Sequence, residues 1–132
     1  MMLHMICISV KEAKKAGAPY HVAFAIENNK VICWGANMPM VHAEENVIKK
    51  LYYLQTKHKI KWEKITVIVV RFRMNETTEQ LDFKMSKPCK HCSIALRNTQ
   101  IKNICWSNDY GNFNACRVCN LQSTHLSRRH RE

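Results

Sequence analysis

Two short motifs that lie far apart in the chain constrain its fold more than any other feature. His42-Ala43-Glu44 offers an imidazole and a carboxylate, and Pro88-Cys89-Lys90-His91-Cys92 offers two thiolates. Three protein ligands, His42, Cys89 and Cys92, would leave one position of a tetrahedral Zn²⁺ open for water, which is typical of a catalytic zinc site. The fold must therefore bring the two motifs together around one ion.

Each motif is predicted to lie at the beginning of a helix. We expect one helix from about Ala43 to Thr56, with two acidic residues in its first turn, and another from Pro88 to about Asn98. Proline is favoured at the first helical position because its missing N–H group is not needed there. Cys89 would then lie at a helix N-terminus, where the helix dipole stabilises a thiolate.

The remaining elements are predicted from apolar runs and turn residues. Ile65 to Val70 is the most apolar β-branched run, which predicts a central strand covered by helices on both faces. Met74 to Met85 is expected to form a hairpin-like excursion, and Asn28 and Asn29 tolerate the positive φ angles of a tight hairpin turn. We also expect a helix from Leu3 to about Lys15 and strands over His21–Ile26, Val31–Trp34, Ile101–Ser107 and Phe113–Leu121.

The composition is typical of one globular domain over residues 1–132, with a basic tail from about residue 122 to residue 132. The hydrophobic content of 46% is ample for a single core and argues against intrinsic disorder. There is no apolar run of about 18 residues, so we expect no membrane span, and the first residues do not resemble a signal peptide. Two of the seven cysteines belong to the metal motif and the other five are interpreted mostly as core residues, which favours a reducing intracellular compartment, either cytoplasm or nucleus.

The net charge of +11 favours anionic partners such as nucleic acid or phosphorylated substrates. Three lysines flank the cysteine motif, and three arginines make the C-terminal tail basic. These six residues are candidates for nucleic-acid contacts: Lys84, Lys87, Lys90, Arg128, Arg129 and Arg131. The alternative is a basic surface that serves solubility alone, and composition does not decide between the two.

The pattern H-x-E followed by P-C-x-x-C resembles that of the zinc-dependent nucleobase deaminases, the cytidine and deoxycytidylate deaminase-like superfamily. The order of the predicted elements resembles this family over nearly the whole chain. The resemblance implies an α/β fold, a three-layer α/β/α sandwich around a five-stranded mixed sheet.

The turn at Asp109–Asn112 predicts that the last two strands are antiparallel neighbours. This arrangement resembles the free-cytidine deaminases, whereas the tRNA adenosine and APOBEC-type deaminases run these strands parallel. The free-cytidine enzymes, however, usually have cysteine at the position of His42. The sequence therefore combines features of both branches.

By this resemblance, His42, Cys89 and Cys92 bind one Zn²⁺ per chain. Glu44 is then the general acid and base that carries a proton from water to the ring nitrogen beside the amino carbon. The alternative for Glu44 is a helix-start acid stabilised by the helix dipole, which is also the expected role of Glu45.

Five residues are candidates for substrate contacts: Asn37, Ala43, Tyr20, His21 and Trp106. The small side chain of Ala43 leaves room for a base, and Asn37 suits either a sugar hydroxyl or the base, or serves only as a turn residue. The aromatic side chains could stack on a base, although Trp106 is interpreted more readily as a core residue. His91 is expected to be exposed and not to bind the metal.

A second cluster, Cys116 and Cys119 followed by His125 and His130, has a spacing close to that of a small zinc knuckle. In a strand over 113–121, the two cysteines would point to opposite faces and could not share an ion. A second zinc site is thus the less favoured alternative.

Three functions are consistent with these features. The first is hydrolytic deamination of cytosine to uracil in a nucleoside or nucleotide, and the second is deamination of cytosine or adenine in single-stranded DNA or RNA. The third is a non-catalytic, basic nucleic-acid-binding protein with a structural zinc, against which Glu44 argues. The resemblance also suggests a homo-oligomer, and no membrane partner is expected.

Overall fold

The computed structural model describes residues 9–11, 14–15, 20–75, 77–78 and 80–123. The strands are β1 (His21–Glu27), β2 (Lys30–Ala36), β3 (Thr66–Asn75), β4 (Gln80–Lys84), β5 (Asn103–Ser107) and β6 (Phe113–Arg117), and the helices are α1 (Ala43–Gln55) and α2 (Lys90–Arg97). Residues 9–11 and 14–15 are also helical, and the rest of the predicted first helix lies outside the described residues. In this part of the chain, no helix has the length and apolarity needed to cross a membrane.

The sheet is mixed and has the strand order β2-β1-β3-β5-β6, with β4 paired to β3. β3 and β5 are parallel, whereas β5 and β6 are antiparallel, as the Asp109–Asn112 turn predicted. The sheet has six strands and not five. The additional strand forms because β3 continues beyond Val70 to Asn75, and the continuation pairs with β4 in the hairpin expected between Met74 and Met85.

A tight turn joins β1 and β2. Asn28 and Asn29 both have positive φ, 52° and 62°, which the twist of a two-residue hairpin turn favours. The turn places Glu27 opposite Lys30 and sets the register of the two strands. The hairpin predicted around these asparagines is confirmed.

Two apolar clusters cover the two faces of the sheet. On one face, α1 and α2 pack through Val47 and Leu96 against alternate residues of β1, β3 and β5. On the other face, Val10 from the N-terminal helical residues packs against Phe24 and Ile68. Residues 67–70 of β3 are completely buried, as expected for a central strand covered by helices on both sides. The predicted three-layer sandwich is confirmed.

Among the predicted boundaries that differ from the structure, two concern segments with cysteines. α2 begins at Lys90, because Pro88 and Cys89 belong to the preceding segment and Cys89 is the N-cap with an extended ψ of 171°. β6 ends at Arg117 and is followed by a short 3₁₀ helix, Val118–Asn120, because the chain turns to bury Val118 in the core. A second 3₁₀ helix, Trp62–Lys64, precedes β3.

Candidate zinc centre and active site

The two motifs meet where α1 and α2 begin. His42 is the N-cap of α1, Cys89 is the N-cap of α2, and Cys92 lies in the first turn of α2. The Nδ1 atom of His42 is 3.1 Å from the Sγ atom of Cys92 and 3.6 Å from that of Cys89. All three ligand atoms lie within 4.8 Å of one another.

This donor set fits a zinc ion. Zn–S bonds of about 2.3 Å and Zn–N bonds of about 2.0–2.1 Å imply separations of about 3.5–3.8 Å between the donors of a tetrahedral site. The observed separations of 3.1 and 3.6 Å are close to these values. A hydrogen bond from the Cys92 thiol lowers the pKa of Cys89 to about 4, which supplies one thiolate, and the same hydrogen bond raises the pKa of Cys92.

Glu44 differs from every other carboxylate in the described part of the chain. Its side chain is only 2% exposed, and its Oε1 atom has no hydrogen-bond partner. Burial raises the pKa of Glu44 to about 7 because the charged form is poorly solvated. Buried polar atoms without partners are rare, and one that borders a cavity is available for a ligand.

A cavity of about 230 Å³ lies between Glu44 and the metal ligands His42 and Cys89. His21 and Asn37, two of the predicted substrate-binding residues, also line it. The Nε2 atom of His21 is buried without a hydrogen-bond partner. Burial and the neighbouring Arg71 lower the pKa of His21 to about 4, so the imidazole is neutral near pH 7.

The other three candidates for substrate contacts do not line this cavity. Ala43 is completely buried in the core beneath α1. Trp106 packs in the same core with 8% of its surface exposed, and the Nζ atom of Lys87 is 5.7 Å from its ring centre. Tyr20 is half exposed and lines a neighbouring cavity instead.

Glu45 connects the two helix starts. Its Oε1 atom accepts a hydrogen bond of 3.2 Å from the backbone N–H of His42, and its Oε2 atom is 3.3 Å from the Nε2 atom of His91 on α2. His91 is exposed and lies outside the ligand cluster. Glu45 therefore holds the ligand-bearing end of α1 next to α2, a role beyond the helix-start acid expected from the sequence.

The fold places the predicted phosphate-binding residues at different locations. Lys87 lines the zinc cavity and Lys84 lines the neighbouring one, while Lys90 is exposed on the first turn of α2. Arg128, Arg129 and Arg131 lie outside the described residues. Sequence reasoning missed Arg71, which lines both cavities. Its only signal was a charged residue directly after the apolar run of β3.

A second metal cluster is not formed within the described ranges. His42, Cys89 and Cys92 are the one group there with metal-binding geometry. Cys116 lies in β6 and Cys119 in the 3₁₀ helix that follows, so the strand that was expected to separate their side chains ends before Cys119. The other two predicted ligands, His125 and His130, fall outside the described part of the chain.

Comparison with known proteins agrees with this geometry. The sequence profile of the cytidine and deoxycytidylate deaminase zinc-binding region matches residues 2–108, which contain both motifs. Searches among curated proteins and among solved structures gave no significant match. Because the profile covers most of the 132 residues, the chain belongs to the cytidine and deoxycytidylate deaminase family.

Proposed function

We propose that the protein is a zinc-dependent hydrolase that deaminates cytosine to uracil in a nucleoside or nucleotide. The observation that supports this most strongly is the buried Oε1 atom of Glu44, which has no hydrogen-bond partner and borders the same cavity as His42 and Cys89. A structural zinc site has no use for such a carboxylate. Family membership and the His/Cys/Cys ligand set support the same reaction class.

The proposed reaction needs an activated water molecule and a group that carries protons. Bound Zn²⁺ supplies Lewis acidity, which brings the pKa of water close to 7. Glu44 accepts the proton that water releases and donates it to the ring nitrogen of cytosine, so that oxygen adds to the amino-bearing carbon. Glu44 then takes the proton of the hydroxyl group that has been added and gives it to the amino nitrogen, so that the carbonyl of uracil forms as ammonia leaves. A pKa of about 7 suits this shuttle because both protonation states are populated near neutral pH.

His21 and Asn37 are the proposed orienting groups. A neutral imidazole with a free Nε2 atom can donate or accept one hydrogen bond with the base or sugar. Asn37 is held near His21 by a hydrogen bond of 2.8 Å from its backbone N–H to the His21 carbonyl. Its side-chain amide can therefore face the same substrate without an independent loop movement.

A small substrate is supported by two features. The zinc cavity, of about 230 Å³, is less than half the volume of three other cavities in the described structure, which measure about 480–560 Å³. The antiparallel β5–β6 pair resembles the arrangement in free-cytidine deaminases. The second candidate is a deaminase of single-stranded DNA or RNA, which is favoured by the net charge of +11.

The test is deamination by zinc-loaded protein with cytidine, deoxycytidine, their 5′-monophosphates and a single strand that contains one cytosine. We expect conversion to uracil and a loss of roughly 10²–10⁴-fold in kcat for Glu44→Gln, which keeps the ligands but removes the proton shuttle. Glu45→Gln is the matched control, because it removes the adjacent carboxylate and should cost less than Glu44→Gln. Full activity of Glu44→Gln on the best substrate would contradict the mechanism.

A further inference from the structure

A second cavity opens directly beside the zinc cavity. It measures about 540 Å³ and shares Arg71 and Met85 with the zinc cavity. Its other walls include Arg73 and Lys84 on the β3–β4 hairpin. We call it the cationic groove, defined by six residues: Tyr20, Arg71, Arg73, Lys84, Met85 and Asp109.

Strand register explains why the groove adjoins the active site. His21 on β1 pairs with Arg71 on β3, and Arg71 pairs with Lys84 on β4, so the three residues form a row across the sheet. Side chains alternate along a strand, and therefore Arg71 and Arg73 point to the same side as Val69, which packs in the core beneath α1. The row leads from the zinc cavity, which His21 lines, into the groove.

The charges in the groove are unbalanced. Arg71 and Lys84 are directly opposite each other on neighbouring strands, and like charges in such pairs repel. Among the described residues, no carboxylate forms a salt bridge with Arg71, Arg73 or Lys84. Asp82 is the register partner of Arg73, and the Oδ1 atom of Asp109 accepts a hydrogen bond of 3.0 Å from the backbone N–H of Met85. An anion bound between the cations would relieve this repulsion.

The backbone that carries these cations is firmly held. The Ser107 hydroxyl oxygen accepts a hydrogen bond of 3.1 Å from the backbone N–H of Arg71, and the hydroxyl lies 2.6 Å from the carbonyl oxygen of Lys84. The Ser86 hydroxyl, 2.8 Å from that of Ser107, continues this buried network toward β3. The groove is thus attached to a rigid junction of β3, β4 and β5, which favours binding without rearrangement.

One wall of the groove is aromatic. Tyr20 is 49% exposed and packs edge-on against Phe72, with ring centres 5.6 Å apart. The Nζ atom of Lys14 lies 4.0 Å from the centre of the Tyr20 ring and adds a further cation. A phosphate between cations, with a sugar or base against an exposed ring, is the usual combination in nucleotide and single-strand sites.

We propose that the cationic groove binds a phosphate group of the substrate while the target base occupies the zinc cavity. This inference rests on the proposed deaminase function and narrows its substrate class to nucleotides over free nucleosides. The phosphate belongs either to a 5′-monophosphate or to the backbone of a single strand. The groove is larger than the zinc cavity, so it also has room for part of a neighbouring nucleotide.

The test compares two double variants of the zinc-loaded protein. Arg73→Gln with Lys84→Gln alters the groove, and neither residue lines the zinc cavity. Lys102→Gln with Arg117→Gln removes the same two charges from a different cavity at the amino-terminal end of β5, and serves as the matched control. Lys84→Gln alone is measured as well, because this single variant still tests the groove if the double variant does not fold.

The first readout is the ratio of kcat/KM for a phosphate-bearing substrate to kcat/KM for deoxycytidine. With deoxycytidine 5′-monophosphate and with a single strand of thymidines around one cytosine, we expect the groove variant to lower this ratio at least tenfold, mainly through KM. The control variant should change it less than twofold. If kcat/KM for the strand is tenfold higher than kcat/KM for the monophosphate, the groove binds a phosphate of the strand backbone. If the two values are equal, the groove binds the 5′-phosphate.

The second readout is the Kd of deoxycytidine 5′-monophosphate and of the same strand, measured by titration calorimetry, and it does not require turnover. We expect the groove variant to weaken binding at least tenfold, and strand affinity to fall with salt by a log–log slope of about −0.7 per phosphate contacted. If no substrate is deaminated but the groove variant still binds the nucleotide or strand more weakly than the wild type does, the proposed reaction is wrong and the inference that the groove binds phosphate is supported. Equal Kd values in the wild type and groove variant, or equal losses in the groove and control variants, would overturn the groove inference.

Discussion

Adjacent residues at the start of α1 have different chemical environments. Glu44 is buried with a free oxygen atom beside the metal ligands, whereas Glu45 binds the backbone of His42 and contacts His91. The difference arises because residues one apart on a helix point in directions about 100° apart, so only one of two neighbouring acids can face the cavity. A shift of one residue along the helix would therefore replace the carboxylate that faces the cavity with one that binds the backbone.

Cys89→Ser should abolish stable zinc binding, because a hydroxyl does not replace the thiolate that the metal requires. Elemental analysis of the purified variant measures this directly. Cys33→Ser is the matched control: Cys33 lies in β2, outside the ligand cluster, and the variant should retain the zinc content of the wild type. A folded Cys89→Ser protein with a full complement of zinc would refute the assigned ligand set.

At the scale of elements, the position of α1 depends on its contact with β2. A Cβ atom at Gly35 would lie 2.6 Å from the backbone nitrogen of Val47 and 2.9 Å from the backbone of Asn46. The helix therefore lies closer to this strand than any larger residue would allow. The side chain of Asn46 adds a hydrogen bond of 3.1 Å to the carbonyl oxygen of Ala36. These two contacts hold the first turns of α1, which His42 caps, against β2.

Gly35→Ala should push α1 away from the sheet, destabilise the fold by about 1–3 kcal/mol, and weaken zinc binding. Urea denaturation and a zinc-chelator competition measure the two effects. Gly111→Ala is the control, because Gly111 has a φ of 80° but open space around the added methyl group. That variant should lose some stability through backbone strain and keep the zinc affinity of the wild type. Wild-type zinc affinity in Gly35→Ala would show that this contact does not position the site.

At the scale of the whole molecule, the candidate zinc site lies where α1 and α2 meet. His42 comes from the start of α1, and Cys89 and Cys92 come from the start of α2, so bound zinc would add a cross-link to the contact that Glu45 and His91 already make between these helices. Metal binding that requires the folded arrangement stabilises the native state by mass action. The stability of the domain should therefore depend on its zinc.

Removal of zinc with a chelator should lower the melting temperature by several degrees, and added Zn²⁺ should restore it. At free zinc about 100 times the Kd, the stabilisation is about 2.7 kcal/mol. Differential scanning calorimetry of Cys89→Ser supplies the control, because this variant should not respond to chelator. Identical melting curves for the wild type with and without zinc would mean that the metal is not coupled to folding.

The sequence by itself determined the features that depend on local spacing. The two motifs predicted a cluster of His42, Cys89 and Cys92 with Glu44 beside it, because zinc chemistry demands particular side chains at short separations, and the fold brings these residues together. Apolar runs predicted the central strand, and turn residues predicted the β1–β2 hairpin and the antiparallel β5–β6 pair. The start of α2 was placed two residues early, because a proline before a helix marks its beginning only approximately.

Only the tertiary structure decided which distant residues surround the site. Arg71 and Arg73 lie in β3 just beyond its apolar run, and the pairing of β3 with β1 and β4 brings them beside the zinc cavity. Trp106 was a candidate for stacking on the substrate, and the packing of α1 and α2 buries it in the core. Such neighbours depend on strand register and helix packing between segments far apart in the chain, which local periodicity does not encode.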